Sequence, residues 1–408
     1  MRRPEGALAF VLSVMLVRLA QSLRPARSGG VGVALHMSTA AGAGAGSTAK
    51  LSVGSTLTNV DLAREAVRQF FPLAEKVTLT PTAGGVNNVV QYLELPGGEK
   101  KILRIYNNGR NTARVAFEHE ILKQLNSRFG KEMSFKIPQF LPSIKDPSKT
   151  YVELSSGACA CIVDVIEGSL PKLTCVRDIG RASGELNSMI TKIQLDRSFG
   201  NGPTPPYFEL YKVHHAVTRE LFFKSMAGPD FDSTRPWADK MIKEVLELEA
   251  TISRLQKLSL PFGLIHGDLH YDNVLCKDGR VTGLLDFEFA SNDWRAMELA
   301  ICLSKYAGEK DKTTGESIAM PFFTDFIDGF AEKGELTDPE IEAIPDLILL
   351  RVLSNVVYFV GRAIGGEDDI SSLTTRIENY CGRVDWLKKN GPAISAVIKS
   401  KMRTNEDL

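Results

Sequence analysis

A polar segment in the C-terminal half of the chain carries residue types that could support phosphoryl transfer. It reads His266-Gly-Asp-Leu-His-Tyr-Asp-Asn273 and is followed by Leu284-Leu-Asp-Phe-Glu288. Phosphoryl transfer needs a carboxylate that orients the attacking hydroxyl group, and oxygen ligands for a Mg²⁺ ion on the nucleotide phosphates. Asp268 could supply the first, and Asn273 and Asp286 could supply the second. These three residues form the candidate catalytic and metal-binding set.

The stretch between Asn273 and Asp286 is predicted to fold back on itself. Two apolar runs, at residues 274–276 and 284–287, flank a turn at Lys277-Asp278-Gly279. Asp-Gly between two apolar runs is a strong hairpin signal, because the tight turn needs residues that accept a positive φ. Such a hairpin would bring Asn273 and Asp286 together, which a shared metal ion requires.

The types and spacing of these residues resemble the aminoglycoside phosphotransferase and choline kinase superfamily. The pattern His-Gly-Asp-x-His-x-x-Asn is similar to its catalytic loop, and Asp286-Phe-Glu288 stands where protein kinases carry Asp-Phe-Gly. The resemblance implies that the cofactors are ATP and Mg²⁺ and that the partner is a small-molecule alcohol. It further implies that Asp268 is the catalytic base, with Asn273 and Asp286 as the metal ligands.

Two histidines flank the candidate base. His266 is a further candidate catalytic residue, and we expect it to hold the loop by hydrogen bonding and not to transfer protons. For His270, a structural role and a contact with the substrate both stay open, because a histidine can be satisfied in many ways.

The loop at residues 83–88 is a candidate for binding nucleotide phosphates. It lies between two predicted strands, and Gly84, Gly85 and Asn87 are its candidate contacts. Glycines let the backbone approach phosphate oxygens closely. An ordinary hairpin turn would have the same composition, so the loop gains weight only from the residues that follow it.

A strand arginine and a helix glutamate are the next candidates on the nucleotide side. By the resemblance, Arg104 stands where protein kinases carry a strand lysine that pairs with a glutamate of the following helix. Arginine can bridge a phosphate and a carboxylate. Glu118 is the predicted partner, Glu120 is the alternative, and a surface ion pair stays open. Val165, in the segment 163–167, is the predicted adenine contact in the hinge.

The residues after Asp286 indicate a substrate by resemblance alone. The run from Asp286 to Asp293, followed by Glu298-Leu-Ala-Ile-Cys-Leu, resembles the bacterial type II homoserine kinases. Homoserine carries an ammonium group, which Glu288 or Asp293 could contact. Asp293 and Glu298 are equally well explained as charges at a helix N-terminus. Choline and ethanolamine are also cationic, and Arg104 resembles the choline kinase branch, so an amino-alcohol kinase is an alternative. A non-catalytic nucleotide-binding regulator is the alternative from another class.

The elements that must position these residues predict an α+β, protein-kinase-like fold of two lobes. Residues 55–166 contain a first helical run up to Phe70 and then strand-like runs on both sides of a second helical run, and they form the predicted N-terminal ATP-binding lobe. Residues 167–408 are mostly helical and form the predicted C-terminal lobe, which carries the catalytic loop and the substrate site. The first helix should be capped by Asn59 or Asp61.

Composition argues against nucleic-acid and membrane partners. The chain of 408 residues has 49 Lys and Arg and 49 Asp and Glu, so no overall field attracts it to anionic surfaces. Its longest apolar run, 347–360, is interrupted by Arg351 and Asn355. This run therefore predicts a buried core helix, and we expect no stable membrane association of the mature protein.

Residues 1–54 are predicted to be a targeting segment followed by a disordered linker. Two arginines precede an apolar run, 7–17, which is shorter than the roughly 20 residues of a membrane-spanning helix. A stretch rich in Arg, Ser, Ala and Gly follows, with no acidic residue between Arg18 and Lys50. A signal-like segment joined to a transit-peptide-like segment predicts import into a plastid, and a mitochondrial presequence is the alternative.

Overall fold

The computed structural model describes residues 58–82, 88–107 and 111–402, which belong to one compact unit. The predicted targeting segment lies outside these residues. So do Gly84, Gly85 and Asn87 of the predicted phosphate-binding loop.

The first helix, α1 (Asn59–Phe70), is capped by Thr58 and not by Asn59 or Asp61 as predicted. Thr58 Oγ1 accepts a hydrogen bond from the Asp61 N–H at 3.2 Å, and the Asp61 carboxylate accepts one from the Thr58 N–H at 2.9 Å. This reciprocal pair satisfies backbone donors that the first helical turn leaves unpaired. Asp61 therefore supports the cap from inside the helix.

An antiparallel sheet of five strands follows α1. Its order is β1-β2-β3-β5-β4, with bounds β1 (Thr78–Pro81), β2 (Val89–Glu94), β3 (Lys100–Ile105), β4 (Val152–Glu153) and β5 (Cys159–Asp164). Between β3 and β4 the chain forms α2 (Thr112–Phe129). The predicted mixture of strands with one helix in this part of the chain is confirmed.

The two faces of this sheet pack against different helices. Leu93 and Leu103 are buried in one apolar cluster with Leu62 of α1. On the other face, Cys161 is buried in a cluster with Val115 of α2. Burial of a side chain the size of leucine contributes roughly 1.5–3 kcal/mol. This packing holds β3 and α2 at a fixed separation, which matters because each carries a residue of the candidate site.

The rest of the described chain is mostly helical. Its helices are α3 (Val176–Ile190), α4 (Arg219–Met226), α5 (Arg235–Leu255), α6 (Met297–Ser304), α7 (Ala319–Phe330), α8 (Asp338–Ile364), α9 (Ser371–Thr374) and α10 (Ile377–Met402). A small sheet region followed by a mostly helical part confirms the predicted two-lobed architecture. The last strand of the sheet ends at Asp164, and the lobe boundary at residue 166 stays a prediction.

Helix α8 runs through the core of the helical part. Thr337 and Glu340 form a capping box at its start. Among the described residues it is the helix long and apolar enough to cross a membrane, but 72% of its most apolar stretch is buried inside the protein. This burial agrees with the predicted core helix. Arg351 and Asn355, which interrupt its apolar sequence, are themselves buried.

Two short antiparallel ladders carry the polar loops of the candidate site. One joins β6 (Phe262–Ile265) to β9 (Ser291–Trp294), and the other joins β7 (Val274–Lys277) to β8 (Arg280–Leu284). The apolar run at residues 284–287, expected on one side of the hairpin, contributes only Leu284 to strand β8. The strand ends there because Asp286 adopts a left-handed conformation with φ 65° and ψ 63°, which a strand does not accommodate.

Candidate active site

The loop that carries Asp268 begins directly after β6 and turns at Gly267. Gly267 has φ +81°, and a Cβ atom there would lie 2.2 Å from the carbonyl oxygen of Phe289. Only glycine fits both the conformation and the close approach. The turn therefore packs the catalytic loop against the short helical turn Phe287–Phe289 that follows Asp286.

His266 fastens the catalytic loop to its neighbours on two sides. Its backbone N–H donates to Glu298 Oε2 at 2.5 Å, and its ring Nε2 donates to the Leu285 carbonyl at 2.9 Å. The ring is fully buried, and burial lowers the pKa of His266 to about 4. The imidazole is therefore neutral near pH 7, and its position agrees with the expected role of holding the loop.

Asp268 is almost completely buried at the floor of the site. Its Oδ1 accepts a hydrogen bond from Arg351 at 2.6 Å, and its Oδ2 lies 3.3 Å from the side-chain nitrogen of Asn273. Burial alone would raise the pKa of the Asp268 carboxyl, but His270, Arg351 and Lys305 hold it well below its usual range. The group is therefore an anion at physiological pH, which is what orienting a hydroxyl donor requires.

The hairpin predicted between Asn273 and Asp286 is confirmed. Strands β7 and β8 pair around a turn in which Asp278 and Gly279 both have positive φ. At the open end, the Leu285 N–H donates to the Asn273 carbonyl at 2.9 Å. Asn273 directly precedes β7 and Asp286 follows the end of β8, so both residues lie at the open end of the hairpin. The Asn273 amide nitrogen donates to the Asp268 carbonyl at 2.9 Å, so its amide oxygen is the atom left for a metal ion.

Arg104 is the centre of a cluster of charges between the sheet and the hairpin, in which Glu118 is buried and the other members are partly buried. It donates to Glu118 at 2.8 Å, to Asp286 at 2.8 Å and to Glu288 at 2.9 Å. Asn88 also donates to Glu288, at 2.8 Å. The pair Arg104–Glu118 thus forms as predicted, and it links β3 and α2 to the segment that carries Asp286.

The alternative partner of Arg104, Glu120, lies outside this cluster. It pairs instead with Lys123 and Gln124 on its own helix. Val165 directly follows β5 at the point where the chain leaves the sheet, which is where a hinge contact with adenine was predicted. That contact stays a prediction.

The donor set at the hairpin mouth fits a Mg²⁺ ion. Carboxylate and amide oxygens, from Asp286 and Asn273, are the ligand types that this hard cation prefers. Burial, together with the nearby carboxylate of Glu288, raises the pKa of Asp286 to about 8. A divalent cation would relieve this crowding of negative charge.

The two predicted contacts with a substrate ammonium group, Asp293 and Glu288, lie in different surroundings. Asp293 is fully buried, and its carboxylate accepts hydrogen bonds from the backbone N–H groups of Tyr207 at 2.7 Å and Trp294 at 2.6 Å. It therefore holds the Tyr207 segment, and a contact between Asp293 and a substrate ammonium group stays a prediction. Glu288 is engaged by Arg104 on the sheet side of the site.

His270 lies beside the candidate base. Its Nδ1 accepts a hydrogen bond from the Asp272 N–H at 3.2 Å, and its Nε2 is 3.5 Å from Asp268 Oδ2. Burial lowers the pKa of His270. Both of the roles left open for it are compatible with this position.

Three residues at the floor of the site were not singled out from the sequence. Arg351 reaches Asp268 from α8, Lys305 lies 3.5 Å from Asp272, and the Tyr207 hydroxyl donates to the Gly267 carbonyl at 2.7 Å. The usable signal for Arg351 was its place in an apolar run, because a charged side chain is rarely buried without a partner.

A small sheet and a helical part, with Asp268, Asn273 and Asp286 between them, define a protein of the kinase-like phosphotransferase class. Comparison with known proteins gives the same result. Residues 78–332, more than half of the chain, match the phosphotransferase enzyme family. The chain belongs to this family.

The chain is also similar to individual proteins whose activity or structure is known. A homoserine kinase of Sinorhizobium medicae is 31% identical over 193 residues, which are 47% of this chain and 53% of that protein. The chain thus spans about half the length of this curated relative. An amicoumacin kinase, solved with AMP-PNP and Ca²⁺, is 17% identical with a TM-score of 0.55, over 80% of this chain and 93% of the other. A choline kinase of Cryptosporidium parvum is 14% identical with a TM-score of 0.52, over 83% and 99%. At these identities the solved structures establish the fold.

Proposed function

We propose that the protein transfers the γ-phosphoryl group of ATP to a hydroxyl group of a small molecule, and that this acceptor is homoserine. The observation that carries the proposal is the position of Asp268. Its buried carboxylate lies on a loop that is hydrogen-bonded to Asn273 on one side and to the Leu285–Asp286 segment, through His266, on the other.

Each residue of the site has a distinct part in this reaction. Asp268 accepts a hydrogen bond from the acceptor hydroxyl, orients its oxygen toward the phosphate, and takes up its proton. Asn273 and Asp286 would hold Mg²⁺, which neutralises charge on the phosphate oxygens when it is bound. Arg104, held by Glu118, presents its guanidinium group to phosphate oxygens from the side of the sheet, whereas Asn273 and Asp286 lie on the side of the hairpin.

The choice of homoserine rests on the curated relatives and not on the fold. The homoserine kinase of Sinorhizobium medicae is 31% identical over 193 residues, whereas the choline kinase shares the fold at 14% identity. Choline and ethanolamine are the runner-up acceptors. A regulator that binds nucleotide without turnover is the alternative outside the enzymes.

A panel of acceptors tests the proposal. The protein would be incubated with ATP and Mg²⁺ and with homoserine, choline, ethanolamine, hydroxylysine, methylthioribose or an aminoglycoside, and phosphorylated products would be measured by mass spectrometry. We expect homoserine to give the highest kcat/KM. A higher value for choline or ethanolamine would reject the substrate and keep the activity. Nucleotide binding without any phosphorylated product would favour the regulator.

A further inference from the structure

Helix α8 presents a line of polar side chains along a helix that is otherwise apolar. Arg351, Asn355, Tyr358 and Arg362 follow one another at intervals of four, three and four residues. This spacing places all four side chains on one face of the helix. Arg351 and Asn355, at the buried end of the line, are 5% and 7% exposed. The line begins at the candidate base and leads toward the surface.

The guanidinium group of Arg351 is only partly satisfied. It donates to Asp268 Oδ1 at 2.6 Å and contacts Asn355 Oδ1, and it lies 5.2 Å from the centre of the Tyr207 ring. Its buried Nε–H has no hydrogen-bond partner among the described residues. Leaving a buried donor of a charged group unpaired is costly. The unpaired N–H therefore leaves one hydrogen-bonding position of Arg351 for a further acceptor beside Asp268.

Arg351 also competes with the acceptor hydroxyl for Asp268. The hydroxyl needs a carboxylate oxygen of Asp268, yet Oδ1 is taken by Arg351, and Oδ2 has Asn273 at 3.3 Å and His270 at 3.5 Å. A neutral or cationic alcohol offers Arg351 nothing in exchange for Oδ1. A carboxylate on the acceptor does, because it pairs with a guanidinium group through two parallel hydrogen bonds.

On the basis of the proposed function, we infer that Arg351 binds a carboxylate group of the acceptor and thereby releases Asp268 Oδ1 to the acceptor hydroxyl. The substrate class is then an alcohol that carries a carboxylate. In a four-carbon hydroxy acid the two groups are separated by bonds of about 1.5 Å each and lie roughly 5–6 Å apart. This separation allows the carboxylate to bind Arg351 while the hydroxyl binds Asp268, because these two side chains are neighbours in the site. Choline and ethanolamine lack the carboxylate and fall outside the class.

The surroundings of Arg351 support a binding role for it. The Tyr207 ring lies against the guanidinium group, and its hydroxyl is fixed to the Gly267 carbonyl at 2.7 Å. Lys305 supplies a second buried cation near Asp268 and Asp272. A carboxylate placed here would meet positive charge from two elements, α8 and the segment after α6.

Matched acceptors test the inference directly. Homoserine would be compared with homoserinol, in which a hydroxymethyl group replaces the carboxylate, in the wild type and in Arg351→Gln and Arg351→Lys. We expect wild-type kcat/KM to favour homoserine by about 10²-fold, the typical worth of a charge-assisted pair. In Arg351→Gln, the ratio of kcat/KM for homoserine to that for homoserinol should fall by about 10²-fold, so the preference disappears, whereas any loss caused by the change beside Asp268 is common to both acceptors. Arg351→Lys should retain part of the preference.

Arg254→Gln is the control. Arg254 pairs with Asp346 on the outer side of α8 and is 55% exposed. Its loss should therefore leave kcat/KM unchanged for both acceptors. Equal losses of both acceptors in Arg351→Gln would show a structural role only and overturn the inference, as would a wild type that does not discriminate between them.

A binding measurement separates this inference from the proposed function. Calorimetry with AMP-PNP and Mg²⁺ would measure homoserine and homoserinol binding to the wild type and to Arg351→Lys, which retains the buried charge if Arg351→Gln fails to fold. Absence of turnover on every alcohol would reject the proposed function. Turnover of choline with no binding of homoserine would keep phosphoryl transfer and overturn the inference. Selective, Arg351-dependent binding of homoserine supports it in either case.

Discussion

Replacement of Arg104 by glutamine should destabilise the fold strongly. Arg104 donates to Glu118, Asp286 and Glu288 within 2.9 Å, and the Glu118 side chain is only 3% exposed. Without the guanidinium group these carboxylates have no compensating charge, and water cannot reach Glu118. Removal of one partner from a buried ion pair costs about 3–5 kcal/mol, and we expect a loss of this size in the free energy of unfolding at pH 7.

The loss should depend on pH in a definite direction. Burial raises the pKa of Glu118, and Arg104 opposes that rise. In the variant the folded-state pKa of the carboxyl groups rises further above the unfolded value. A raised folded-state pKa leaves stability intact at low pH and removes it as the pH passes through that pKa. The variant should therefore lose less stability near pH 5 than near pH 8.

Urea unfolding at several pH values measures this effect, and Lys101→Gln is the matched control. Lys101 lies on the same strand and pairs with Glu99 at 2.6 Å and Asp164 at 2.7 Å, but these partners are 61% and 48% exposed. Exposed pairs contribute about 0–1 kcal/mol. A loss in Arg104→Gln that is no larger than the control's, or that is the same at every pH, would refute the reasoning.

Three further predictions concern other parts of the chain. Burial lowers the pKa of His119 to about 3, so the free energy of unfolding should fall as the pH drops below the unfolded-state pKa of about 6.5. In His119→Gln, the dependence of this free energy on pH should weaken by up to about 1.4 kcal/mol per pH unit in acid unfolding curves. An unchanged dependence on pH would contradict this prediction. Asp286→Ala should weaken Mg²⁺-dependent nucleotide binding by about 10-fold or more in calorimetry, and unchanged affinity would remove Asp286 from the metal site. A fluorescent protein fused behind residues 1–54 should accumulate in plastids, and a diffuse cytosolic signal would contradict the targeting prediction.

The parts of the site that sequence reasoning placed correctly rest on local signals. Asp278-Gly279 specifies a tight turn, so the return of the chain, which brings Asn273 opposite Leu285, follows from neighbouring residues. The Arg104–Glu118 pair joins a strand to the next helix along the chain. In each case few residues separate the partners along the chain. A single local unit, a hairpin or a strand followed by a helix, brings them together.

The parts that sequence reasoning missed depend on contacts between distant segments. Arg351 meets Asp268 from α8, and Tyr207 meets Asp293, which accepts its backbone N–H. Strand β9 was also missed, because Ser291-Asn-Asp-Trp294 has no apolar alternation and forms a strand only by pairing with β6. No local pattern states which distant segment will complete a buried polar group. A buried charge in an apolar helix indicates that a partner exists without identifying it.

Asp268→Asn tests the central claim most directly, because this change removes the charge of the candidate base and nearly retains its shape. With homoserine, ATP and Mg²⁺, phosphohomoserine formation should fall by about 10²–10⁴-fold, the usual contribution of a general base. Nucleotide affinity, measured by calorimetry on the same sample, should stay unchanged. Turnover equal to that of the wild type, in a variant that is folded, would contradict the role of Asp268 and the phosphotransferase mechanism built on it.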